Sequence, residues 1–309
     1  MWAFSYNLPA HRSARGRGTL TEETVLTIVH GDEWTTVIRP CTGWPGLGWR
    51  ELVQSRELIA LLVWRDLVAT YQQTILGPVW HLLQPLLSTI TFTIVFGHIV
   101  RLPTEGVPHF LFYLVGIVAW SYFSGSVLAT ANIFSAQAHL FGKVYFPRLV
   151  VPIAIVLSRA MPACAQLILA LIVVGYYAAS GSTVSLTANL LFVPLLLGML
   201  ALFSVTVGTL VSALTIRYRD LQHLVTFGIT LMMFVTPVLY PVSVVPTKYR
   251  SLLVLNPAAS IIEAFRRAVL GTAPVELRPL FVSLSLIAGL AIVSLFAFRR
   301  AEAAFIDTV

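Results

Sequence analysis

Two uninterrupted apolar stretches carry the side chains with the most chemistry to offer. Residues 80–100 contain Trp80, Ser88, Thr89, Thr91, Phe92, Thr93 and Phe96; residues 110–130 contain Phe110, Phe112, Tyr113, Trp120, Ser121, Tyr122, Phe123, Ser124 and Ser126. A pyranose has an apolar face that stacks on an aromatic ring and a rim of hydroxyls that bond to Ser, Thr, Tyr and backbone groups. A lining of this kind lets a neutral or weakly charged glycan slide without a tight site. The same residue types collect at membrane interfaces and fill helix contacts in any membrane protein, and composition leaves both readings open. Arg159 is the one charged residue within the apolar stretches of the chain. It suits either a phosphate of a lipid or of a substrate's pyrophosphate, or a packing role against backbone carbonyls.

Other chemistries are missing. The sequence has no GxxxxGK[ST] phosphate loop, no CxxC pair and no HExxH. Its seven histidines, His11, His30, His81, His98, His109, His139 and His223, are scattered without ligand spacing, so no metal is expected. The spans hold no Asp, Glu or Lys. A proton- or sodium-coupled transporter needs a buried relay of such groups, so either passive conduction or an energy-supplying partner is left. Glu105, Glu263 and Glu276 are too widely spaced for a membrane glycosyltransferase, and the chain is not expected to be an enzyme.

The elements that must position these residues follow from composition. Of 309 residues 57% are hydrophobic and 11% charged, with a mean hydropathy of +0.85. A soluble domain carries about a quarter charged residues, so this is an integral membrane protein. Six stretches are long enough to cross the bilayer: residues 80–100, 110–130, 149–179, 186–215, 221–240 and 280–298. The third and fourth contain Pro152, Pro162 and Pro194 and are expected to tilt or kink. With no cleavable signal ahead of Trp80, both termini are expected in the cytoplasm. Thirteen of the twenty Lys and Arg then lie on the cytoplasmic side and six on the other, in keeping with the positive-inside bias. The net charge of +7 is therefore read as topology, with no nucleic-acid partner.

Three segments outside the spans stand out. Over residues 50–67 a helical projection gathers Leu52, Val53, Ile59, Ala60, Val63, Trp64 and Leu67 on one arc, opposite Glu51, Gln54, Ser55, Arg65 and Asp66, with Arg56 interrupting the apolar side. Such a helix lies in the headgroup plane or packs on the bundle. Residues 241–279 hold two short apolar pieces around Asn256-Pro257, which suits a broken, re-entrant hairpin. Residues 24–39, with Val and Thr flanking His30-Gly31-Asp32, suit a small cytoplasmic β-hairpin.

Specific residues then carry a resemblance. Arg65-Asp66, Tyr71, Gln73-Thr74, Leu76-Gly77, Trp80 and Leu83-Gln84-Pro85 are followed by Val95-Phe96-Gly97, Gly142 through Arg148 with Pro152, Arg217-Tyr218-Arg219-Asp220, Thr236-Pro237-Val238 with Tyr240, and Asn256-Pro257. In this order they resemble the ABC transporter permeases that export bacterial surface polysaccharides, namely the O-antigen (Wzm-like), capsule and teichoic acid exporters. The lengthened N-terminus favours the O-antigen branch. The neutral Val68-Ala69-Thr70 and Gln72 depart from the basic residues frequent there in the family.

The resemblance implies an all-α protein of six transmembrane helices in the bacterial inner membrane, working as a homodimer with two copies of a soluble ATPase that uses the ATP and Mg. This chain itself would bind no cofactor. The cargo would be an undecaprenyl-pyrophosphate-linked polysaccharide moved to the periplasm, in contact with membrane lipids. It divides the chain into a cytoplasmic extension (1–48), an interfacial gate helix and connection (49–78) and the permease domain (79–309). Arg50, Arg56, Trp64, Arg65 and Asp66 would belong to the gate helix. His139, Lys143, Tyr145, Phe146 and Arg148, in a coupling helix at about 137–148, would meet the ATPase together with Arg217, Arg219 and Asp220. For Lys143 and Arg148 the alternative is topology alone. Pro237, Tyr240, Asn256 and Pro257 would form the periplasmic gate at about 241–279, and Trp80, Phe92, Phe96, Tyr113, Trp120, Tyr122 and Arg159 the translocation path.

Overall fold

A computed structural model describes residues 49–71, 77, 79–133, 147–217 and 220–306. The chain divides into two units, Met1–Leu47 and Gly48–Val309, and the first lies outside the described residues. So do the β-hairpin expected at 24–39 and the coupling residues His139, Lys143, Tyr145, Phe146 and Arg219.

All regular structure among the described residues is helical. In chain order the helices are α1 (Trp49–Gln54), α2 (Arg56–Tyr71), α3 (Val79–Phe92, continuing as a π-helix over Thr93–Ile99), α4 (His109–Ala131), α5 (Val150–Ala179), α6 (Val193–Arg217), α7 (Leu221–Val235), α8 (Thr247–Val254), α9 (Pro257–Leu270) and α10 (Leu277–Ile306). Five are long and apolar enough to cross a membrane: α3 with its π extension, α4, α5, α6 with the turn before it, and α10.

The fifth expected span is shorter than residues 221–240. α7 has 15 residues, about 22 Å at 1.5 Å per residue, and stops where Pro237 forces Thr236 into an extended conformation (φ −84°, ψ 139°). Nor do all three prolines interrupt helices: Pro152 and Pro194 sit in the first turns of α5 and α6, where the missing N–H has no partner to lose. Only Pro162 is inside.

α4 is apolar around its whole circumference and is buried accordingly at the centre, packed by α3, α5, α6 and α9. The contacts are close and hydroxyl-rich. A Cβ on Gly208 of α6 would lie 2.5 Å from the Thr130 Cβ of α4, so only glycine permits this approach. Phe123 and Phe203 stack at 5.0 Å, and the Thr209 and Ser294 hydroxyls meet at 2.6 Å between α6 and α10.

The helix expected at 50–67 is broken at Ser55 into α1 and α2. Its apolar residues do not form one arc. Leu62 is buried against α5, while Val53, Leu61 and Trp64 are more than 60% exposed on other sides. Gln54, Arg56 and Glu57 are exposed as well, so polar and apolar side chains share the surface of α1 and α2 that the bundle leaves open.

Candidate functional site

The site starts from a proline. Pro85 has no N–H, so the carbonyl of His81, four residues earlier in α3, lacks its helical donor. Gln166 of α5 supplies one, its Nε2 donating to that carbonyl at 2.9 Å. The Ser121 hydroxyl of α4 donates in turn to Gln166 Oε1 at 2.8 Å. Three helices are thus tied at one point, and beside it they enclose a cavity of about 380 Å³.

Four of the seven expected path residues line this cavity: Phe92, Trp120, Tyr122 and Arg159. Ser88, Ser121 and Ser124 add hydroxyls and His81, Gln84 and Gln166 further polar groups, so rings and hydroxyls line one cavity, the two kinds of group that sugar contact uses. Arg159 lies nine residues into α5, about 14 Å from its start, and is exposed to the cavity. Gly125 of α4 lies beside it, and a Cβ there would meet Nη1 at 3.5 Å, an ordinary contact. The cavity is at the end of the bundle where α2 packs, for Leu62 shares a cluster with Val150, Val151 and Ile155 in the first turns of α5.

The other three lie elsewhere. Trp80 is 55% exposed in the first turn of α3. Phe96 packs on Phe92 at 5.7 Å and on Tyr113 at 6.4 Å, and Tyr113 meets Phe112 edge-on at 5.5 Å. Tyr113 is fully buried and its hydroxyl is unpartnered. These rings form a ladder leading from the cavity, half-buried at Phe92 and Phe96 and buried at Tyr113 and Phe112.

α8 and α9 form a helix-break-helix. Asn256 caps α9, its Oδ1 accepting from the Ala258 N–H at 3.1 Å with Pro257 in the first turn, and Gly271 closes it at φ +65°. The Asn256 amide also donates to the Thr236 hydroxyl at 3.1 Å, joining this cap to the residue before Pro237. Tyr240, half-buried, donates its hydroxyl to the Val235 carbonyl at 2.9 Å. The four expected gate residues therefore surround one turn.

The residue that holds that turn is one the sequence reading passed over. Arg266, 4% exposed, pairs with Glu263 at 2.9 Å and donates to the Pro237 and Val238 carbonyls at 2.8 and 3.1 Å. Its guanidinium lies 3.9 Å over the Phe112 ring. Burial pushes it below the ordinary arginine range, opposed by the nearby carboxylates of Glu263 and Glu105. Glu263 also holds Arg267 at 3.3 Å, and Arg267 reaches Glu276 at 2.6 Å. The available signal was helical spacing: Ile262, Phe265 and Ala258 share a buried face with Arg266, so its charge had to find a partner inside.

Of the gate-helix residues, Arg65 and Asp66 form an ion pair at 2.8 Å, while Arg56 and Trp64 are exposed. Arg148 sits in the turn entering α5 and Asp220 in the turn entering α7; the side chains of Arg50 and Arg217 lie outside the description.

Comparison with known proteins adds to this geometry. The ABC-2 type transporter family model matches residues 57–270. The chain is 33% identical over 220 residues to the O-antigen export system permease protein RfbA of Myxococcus xanthus, covering 70% of this chain and 82% of that protein. It is 28% identical over 251 residues to an RfbA of the same description from Klebsiella pneumoniae, covering 80% and 94%. The polysialic acid transport protein KpsM of Escherichia coli is 24% identical over 222 residues, covering 71% and 83%.

Proposed function

The chain belongs to the ABC-2 type transporter family, and from that membership we propose that it is the membrane-spanning permease of an ATP-driven exporter of O-antigen polysaccharide. The observation that carries this reading is the similarity, over most of the chain, to permeases named for O-antigen export. The cavity of rings and hydroxyls supports it, because a glycan needs both.

In this reading two copies form the channel and two ATPase subunits, using ATP and Mg, drive it. The cargo is a polysaccharide on undecaprenyl pyrophosphate, and it moves from cytoplasm to periplasm across the inner membrane. α7, with the Pro237 turn, completes a sixth crossing, so that both termini are cytoplasmic and α8–α9 form a re-entrant hairpin at the periplasmic mouth. Arg65, Asp66 and their neighbours admit the lipid-linked substrate, the coupling segment at 137–148 with Arg217, Arg219 and Asp220 meets the ATPase, and the turn held by Asn256 gates the exit. A capsule-type cargo is the second reading, supported by the similarity to KpsM.

Depletion of the protein in its native cell tests the function. Loss of surface polysaccharide with accumulation of finished, carrier-linked chains inside is expected. Loss without accumulation would point to synthesis, and unchanged surface polymer would point to a small-lipid or drug exporter.

A further inference from the structure

Among the described residues Arg159 has no hydrogen-bond or ion-pair partner. The acid whose charge reaches it, Asp66, is already bound to Arg65 at 2.8 Å. No Asp or Glu is among the described residues that line its cavity. A guanidinium held in a bilayer without a counter-ion is costly, so an occupant bringing negative charge is favoured there. Its planar fork matches phosphate oxygens two at a time. Ser88 of α3 and Ser124 of α4 line the same cavity and carry hydroxyls that can bond to phosphate oxygens.

We propose that this cavity holds the phosphate of a lipid headgroup, specifically the diphosphate that joins a polyprenyl chain to its first sugar, with Arg159 as the cation that binds it. The identity of the lipid rests on the exporter reading; the demand for a lipid-borne anion rests on Arg159 and its surroundings. The cavity is at the α2 end of the bundle, where Trp64 and Leu61 present apolar surface to hydrocarbon, so a chain can lie outside while its phosphate sits within.

The test uses the full-length chain in nanodiscs of phosphatidylcholine, with farnesyl diphosphate, farnesol and inorganic diphosphate as probes read by native mass spectrometry. Farnesyl diphosphate is expected to bind about tenfold or more weakly to Arg159→Gln, as follows from losing charge-assisted bonds, and less weakly to Arg159→Lys. Farnesol binding stays unchanged in both variants, which also shows that they are folded. Equal binding of farnesyl diphosphate to Arg159→Gln and to the unaltered chain overturns the proposal. Binding of inorganic diphosphate as tight as that of farnesyl diphosphate replaces the lipid by a free anion and also overturns it. Loss of farnesyl diphosphate binding when phosphatidylglycerol replaces half of the nanodisc lipid assigns the site to bulk phospholipid and overturns the carrier assignment. These readings need no export, so a chain that binds the probe through Arg159 but leaves surface polymer unchanged on depletion would sink the exporter reading and leave the anion site standing.

Discussion

Gln166 answers a need created 81 residues earlier, the missing N–H of Pro85, and that dependence can be measured. Gln166→Leu removes the Nε2 donor from the part-buried His81 carbonyl, at a cost of about 0.5–1.5 kcal/mol. In a Pro85→Ala background the helix regains its own N–H for that carbonyl, so the same substitution is expected to cost clearly less. Equilibrium unfolding in detergent of the two single variants and the double variant checks this, and an equal loss in both backgrounds would show that the bond is not what Gln166 provides. The proline was visible in the sequence, and so was the orphan carbonyl it creates. Which of the chain's glutamines or hydroxyls would reach it was not, because the partner lies on another helix and helical periodicity says nothing about rotation between helices.

At the scale of elements, uncharged apolar length made α3, α4, α5, α6 and α10 legible. What periodicity could not supply was where each helix begins, and so Pro152 and Pro194 looked like kinks although both occupy first turns. α7 looked like a full span because Thr236 to Tyr240 are apolar enough, but Pro237 ends the helix for steric reasons that hydropathy does not register. The break between α8 and α9 was legible from Asn256-Pro257, whereas the ion pairs of α9 were not. Glu263 is 14% exposed and shared by two arginines, while Glu276 is 63% exposed and serves one. Glu263→Gln is therefore expected to destabilise the fold by about 3 kcal/mol, since it strips a buried guanidinium of its charge partner. Glu276→Gln should cost about 0–1 kcal/mol, as exposed pairs do. Gly208→Ala belongs to this scale as well, for its Cβ would push α6 off Thr130. About 1–3 kcal/mol of lost stability is expected from such overpacking, read by the same unfolding measurement.

For the whole molecule the parity of the crossings decides what can act where. Five spans put the termini on opposite faces, and a sixth, through α7 and the Pro237 turn, returns them to one. Lys248 is exposed at the start of α8, and Lys248→Cys, in a chain with Cys41 and Cys164 replaced by Ser, reports its side directly. In intact cells an impermeant maleimide is expected to label this cysteine but not one placed at residue 309; labelling at residue 309 and not at 248 would leave five crossings, with α8 and α9 on the cytoplasmic face. On the proposed exporter reading the segment before α5 faces the cytoplasm and meets the ATPase, since the sequence carries no phosphate loop. Alanine at Lys143, Tyr145 and Arg148 together should then abolish surface polysaccharide while the permease persists in the membrane at its normal level. Positive charge that served topology alone would instead show as misinsertion, visible in the Lys248→Cys labelling. Export that survives the triple substitution with normal labelling would separate these residues from coupling and leave the ATPase to dock elsewhere, with Arg217 and Asp220 at the end of α6 and entry to α7 as the remaining place on that face.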